Sequence, residues 1–150
     1  TSMGLLSKFM GQAPAKKPAD DVLLLHSIMC MAACDGVIED AEDEMIRNYA
    51  NTLPEFRDMD GDDFGKCFEQ CRKIAHQYNR DMKSSLQALN GIENDAIRKK
   101  AFVLAVDIAM SSGDIDPSEE EMLEAMQRIL RIDDDLARKS VEVIALKYMK

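Results

Sequence analysis

Carboxylates recur in this chain at a spacing suited to a hard cation. The stretch Ala32-Ala33-Cys34-Asp35-Gly36-Val37-Ile38-Glu39-Asp40-Ala41-Glu42 returns, at a constant offset and without a gap, as Ala109-Met110-Ser111-Ser112-Gly113-Asp114-Ile115-Asp116-Pro117-Ser118-Glu119. Each copy joins an apolar run to a glycine, an isoleucine two residues on, an acid, and a glutamate six residues past the glycine. Short acidic loops hold Ca²⁺ or Mg²⁺ through oxygen, and a calcium-binding EF-hand loop places glycine sixth and a bidentate glutamate twelfth. Gly36 with Glu42, and Gly113 with Glu119, fall in that register. The upstream ligand positions fall on Met31 and Ala33, and on Ile108 and Met110, whose side chains carry no hard oxygen. Neither loop is therefore an EF-hand, and an ion would need the two incomplete shells turned toward each other. The same residues have a second use. Gly36 and Gly113 suit left-handed C-terminal caps, Ile38 and Ile115 suit plugs between paired helices, and Glu42, Asp116 and Glu119 suit helix N-termini. Spacing alone leaves both readings open.

Other side chains could do chemistry as well. Asp107 interrupts an apolar stretch before the second loop, at the place that Cys30 holds before the first. A carboxylate there needs a partner, solvent or an ion, because an isolated buried charge is costly. His26, Cys30 and Cys34 follow one another at helical steps, and Cys67, Cys71 and His76 form a similar line. Two such lines could hold zinc or meet an oxidant through a thiolate. Both lie on apolar faces, however, and cysteine is among the most buried residue types, so core packing is the expectation. The acids Asp58, Asp60, Asp62 and Asp63 surround Gly61, but the position for a closing glutamate is Cys67; a loop with an N-cap is expected. Arg98-Lys99-Lys100 and Arg138-Lys139 read as solvated helix faces. No glycine-rich phosphate loop, HExxH pair or serine-nucleophile motif is present, and with two histidines in all, general acid–base candidates are few. Non-enzymatic work is expected.

The elements that must position these groups are helices. Leu, Ala, Met, Glu, Lys and Arg are plentiful, β-branched runs are few, and no segment alternates like a strand. After a tail and Pro/Lys tether over residues 1–18, Asp20 is expected to cap a helix from about Asp21 to Cys34 that is apolar on every side. A second helix runs from about Asp40 to Leu53, with Met45, Ile46, Tyr49, Ala50 and Leu53 as its inner stripe and Pro54 as its end. A third spans about Asp62 to Asn79, and a fourth about Asp81 to Asn90, closed by Gly91. Asn94 caps a fifth, to about Ser112, apolar all round in its later half except for Asp107. Asp116, Pro117 and Glu119 announce a sixth. Asp133 to Asp135 open the last, with Leu136, Val141, Ile144 and Tyr148 facing inward. The expectation is an all-α, single-domain helical bundle over residues 19–150, built on a duplicated helix–acidic loop–helix unit, with two all-apolar helices at its centre.

Composition narrows the partners. A formal charge of −9 over 150 residues repels phosphate backbones, which argues against nucleic acid and favours cations or a basic protein surface. No apolar run reaches the roughly 20 residues a membrane span needs. The N-terminal stretch lacks a secretory apolar core, so cytoplasm is the expected compartment and disulfides are not expected.

The Ala-Cys-Asp-Gly-Val-Ile motif with Glu42 following, and its counterpart from Ala109 to Glu119, resemble the A-x-A-D-G-x-(I/V)-x-x-x-E signature of the TerB-like tellurite-resistance family. The likeness extends over about residues 20–150. It implies an all-helical cytoplasmic protein that binds a divalent metal through conserved acids and joins stress-response complexes beside the membrane. The residues it marks are Asp35, Glu39 and Glu42 in the first motif and Asp114, Asp116 and Glu119 in the second. Asp107 joins them on position. Ser112 departs from the pattern where the family has an aspartate, which weakens the second cluster. Hard oxygen donors favour Ca²⁺, Mg²⁺ or Mn²⁺. Protein partners are implied in either case, including a co-chaperone-associated interaction role in which the acids only cap helices and no metal is held.

Overall fold

The most apolar stretch of the chain becomes its axis. In the computed structural model, which describes residues 18–34, 40–111 and 113–150 with the side chains of 40–43 excepted, helix α1 spans Asp20–Ala32. Its residues Val22 through Met31 are all buried, as an all-round apolar pattern requires. The described residues form eight α-helices and one 3₁₀ segment and no strand, so the all-helical expectation holds. After α1 come α2 (Asp40–Ala50), the single turn α3 (Pro54–Arg57), α4 (Gly61–Gln77) and α5 (Met82–Ser85). The 3₁₀ segment Leu86–Gly91, α6 (Asp95–Met110), α7 (Pro117–Leu130) and α8 (Asp134–Lys147) complete the chain. Helix α1 packs against α6, α4, the 3₁₀ segment and α2, while α7 and α8 close over α6.

Several boundaries differ from the sequence reading, each for a local reason. Asp20 does not cap α1; Ala19 holds that place. The Asp20 carboxylate instead accepts the backbone N–H groups of Glu93 and Asn94, at 3.1 and 2.9 Å, and so ties the start of α1 to the start of α6. Pro54 does not close α2, which stops at Ala50; it opens α3 from the first helical position, where its missing N–H costs nothing. The expected fourth helix is α only for its first turn and tightens to 3₁₀ until Gly91. Val141 faces outward rather than inward, 39% exposed, and Met45 is 52% exposed rather than part of the inner stripe of α2.

Capping follows the sequence closely elsewhere. Asn94 Oδ1 accepts from the N–H groups of Ala96 and Ile97, Asp60 from Asp63, and Asp133 from Leu136. Arg98 is more than a solvated charge: its guanidinium donates to the carbonyls of Ile92 and Glu93 and to Asp95, bracing the turn before α6. An aromatic cluster locks α3 onto α4, with Phe56 edge-on to Phe64 at 5.9 Å and Arg47 lying over the Phe64 ring at 5.2 Å. Because Asp20 meets Asn94 at one end, and Ala32 and Ser111 line one cleft at the other, α1 and α6 run parallel.

Candidate functional site

The two acidic motifs must be considered separately. Asp35 and Glu39 lie outside the described residues, as do Gly36, Ile38 and Ser112; Glu42 falls in the first turn of α2 with its side chain also outside them. The second motif is described apart from Ser112. Gly113 has φ +95°, the left-handed conformation that its capping role requires, and its N–H donates to Met110 at 3.0 Å. Asp116 then caps α7: its Oδ1 accepts from the Glu119 N–H at 2.9 Å, and Glu119 Oε1 reaches back to the Asp116 N–H at 3.2 Å. Ser118 Oγ donates to the same Asp116 oxygen. This is a complete capping box. The Glu119 N–H and the Ser118 hydroxyl hold the Asp116 carboxyl below its usual range. Asp114 sits exposed in the preceding loop. Ile115 does not plug the core; it is 37% exposed.

Asp107 has the partners that its burial demands. Its Oδ1 accepts from the Tyr148 hydroxyl at 2.6 Å and from Lys147 Nζ at 3.0 Å, and its Oδ2 accepts from the Tyr49 hydroxyl at 2.8 Å. Burial alone would raise the Asp107 pKa. Donation from Tyr148, Tyr49 and Lys147 outweighs that and leaves it lowered. The Tyr49 hydroxyl is pushed up, first by burial and then by the carboxylate beside it. Sequence reasoning placed Tyr49 and Tyr148 on inner faces but not as donors. The available signal was that the inner faces of α2 and of the last segment each carry a phenol, while the apolar helix between them carries a carboxylate.

As a metal set the described acids fit poorly. Asp107 is engaged by three donors, and Asp116 and Glu119 are engaged in capping. Among the described residues, no three His, Cys, Asp or Glu side chains gather as a metal site. The thiol lines also resolve into packing. Cys30, Cys71 and His26 are fully buried, Cys67 is nearly so, and His76 is exposed, which breaks the second line. The Ser85 hydroxyl donates to the Met82 carbonyl at 2.8 Å and lies 3.3 Å from Cys30 Sγ, so the thiol donates to it. His26 Nε2, 3.1 Å from the Ser85 carbonyl, must carry the proton, which leaves buried Nδ1 as an acceptor without a partner among the described residues. Burial pushes the Cys30 thiol up to about 12 and raises Cys71 well above the ordinary range, the reverse of what a reactive thiolate needs.

What the fold does present is a recess. A cleft of about 240 Å³ lies where α1, α2, α6 and the end of α8 meet. Ile28 and Ala32 line it from α1, Met45, Ile46 and Tyr49 from α2, Ile108 from α6, and Tyr148 from just beyond α8. The Asp107 quartet fixes both tyrosines in its wall, and the exposed Met45 forms its lip. Its size lies below the roughly 300 to 1,000 Å³ of sites for drug-sized ligands and matches one or two large side chains. No helix among the described residues is long and apolar enough to cross a membrane. Comparison of the chain with family models, with curated proteins and with solved structures gives no match.

Proposed function

We propose that this chain is a TerB-like stress-response module of the tellurite-resistance kind that works by binding protein partners rather than by catalysis. The observation that supports this most is the apolar cleft beside the second acidic motif, with a flexible thioether at its lip and two anchored phenols in its wall. A recess of this volume suits the buried anchor of a protein interface, where one or two large apolar side chains supply most of the affinity. Methionine at the lip lets the opening adapt to different anchors. The matching partner is an apolar segment with basic flanks, since the chain carries −9 net charge. The test is a photoreactive residue at position 45 of the full chain, in cells challenged with tellurite, against the same group at exposed Arg128. Discrete adducts at 45, lost on Ile108→Asp, are expected. Equal adducts at both positions, or adducts indifferent to Ile108→Asp, count against the cleft.

A divalent cation is the second reading, and the duplicated acidic motif is what favours it. Since Asp116 and Glu119 serve the capping box, a Ca²⁺, Mg²⁺ or Mn²⁺ site would draw on Asp35, Glu39 and Glu42. Calorimetric titration should then show binding that survives Glu119→Gln and vanishes in Glu42→Gln. Loss in both variants would restore a shared ion.

A further inference from the structure

Two helices, α1 and α6, end beside the cleft, and neither has a basic residue in its last turn. Their carbonyl ends carry the partial negative charge of two parallel macrodipoles, so the cleft mouth favours cationic neighbours. Lys147 is already paired there with Asp107, which lines the cleft. The chain holds a second basic and apolar element of its own. Residues 1–19 carry three lysines, Lys8, Lys16 and Lys17, and no acid, in a protein whose net charge is −9. Within them Leu5, Leu6, Phe9 and Met10 recur at the three- and four-residue steps of one helical face, the pattern by which a short helix seats in an apolar groove.

The reach is sufficient. From Ala19 to Ala32 the path along α1 is about 20 Å at the helical rise. The eight residues between Met10 and Ala19, nine Cα-to-Cα steps, extend to about 30 Å, and Pro14 and Pro18 favour a reversal of direction over helix continuation.

We propose that the segment Leu5–Met10 seats Leu6 and Phe9 in the cleft of its own chain, as a built-in occupant that an external partner must displace. The proposal rests on the reading of the cleft as a binding site and adds the identity of its resting ligand. The cost of closing a loop this short is small, and the tethered segment acts at a high effective concentration. Weak intrinsic affinity is therefore enough, and displacement stays within reach of a partner.

The experiment uses the full chain with ¹³C-methyl methionine. The Met45 methyl resonance should show a contact with the Phe9 ring, independent of protein concentration. That contact should vanish, and the resonance should move, in Leu6→Asp/Phe9→Asp, with the far-ultraviolet circular dichroism of the helical domain unchanged. A synthetic peptide of residues 4–17 added to this variant should return the resonance toward its wild-type place. If wild type and variant give the same Met45 signal while the peptide still shifts it, the tethered occupant is wrong and the cleft reading survives. If the peptide also does nothing, both fall. A contact that fades on dilution assigns the segment to a second copy. An unchanged Met45 signal, with loss of binding to anionic phosphatidylserine vesicles in the variant, assigns it to a membrane surface. Either result overturns the proposal.

Discussion

At Asp107 one carboxylate decides how the last turn of the chain is held. It accepts from Tyr49 on α2 and from Lys147 and Tyr148 at the end of α8, so two segments distant in the chain are tied to α6 through one buried acceptor. Asp107→Asn should cost about 1 to 3 kcal/mol in urea unfolding, the range for a broken buried polar contact. The folded pKa of Asp107 is lowered, so its contribution is present above the unfolded value and fades as pH falls through the folded one. Wild type should therefore lose stability in acid more steeply than Asp107→Asn, read as the difference between their urea midpoints at pH 7 and near pH 3. His26 acts at milder acidity. Burial lowers its pKa from 6.5, so the unfolded chain takes up a proton first, and stability declines as pH drops below 6.5 toward the folded value. His26→Gln should flatten that part of the profile. Thiol reagents give a third readout: Cys34, half-buried, should react in the native state, while Cys30 and Cys71 should react only at the rate of unfolding. Fast native labelling of Cys30 would contradict its burial. The sequence made the apolar setting of these cysteines legible. It could not reveal which hydroxyl meets Asp107, because Tyr49 and Tyr148 are fixed by packing between helices far apart in the chain.

Among the elements, helix starts were the more readable, Asp20 excepted, while the end of α2 at Ala50 was not. Asn94, Asp116 and Asp133 cap where their types and the following residues say they should, because an N-cap is a local hydrogen bond. Asn94→Ala should cost about 1 kcal/mol, seen as a lower urea midpoint. The end of α7 carries no glycine. Arg131 takes the left-handed conformation there, with φ 58°, held by its N–H to Arg128 and by the Ile132 N–H to Gln127. Arg131→Gly should raise stability by up to about 1 kcal/mol by relieving that strain. A drop in thermal midpoint would mean that the arginine side chain is worth more than the strain. Pro54 shows why ends mislead: a proline can stop one helix or start the next, and only the backbone before it decides. The exposure of Met45 was equally hidden, since a stripe of apolar residues at helical spacing does not say where the neighbouring helix falls short.

For the molecule as a whole, the all-helical class and the burial of α1 on every side followed directly from apolar periodicity. The order in which helices pack did not, because it rests on long-range contacts such as Asp20 with the turn before α6. Those contacts set α1 and α6 side by side in the same direction, and so they must be joined by a long excursion through α2 to the 3₁₀ segment. That ordering has a consequence for biosynthesis. When α1 leaves the ribosome, none of its cover has been translated; α2, α4 and the 3₁₀ segment bring part of it, and the face toward α6 stays uncovered until α6 has emerged. A helix with ten consecutive residues destined for burial, waiting in this way, is a natural client for a holding chaperone. Nascent chains arrested before Asp95 should stay protease-sensitive, and those arrested well beyond Met110 should gain protection in a single step.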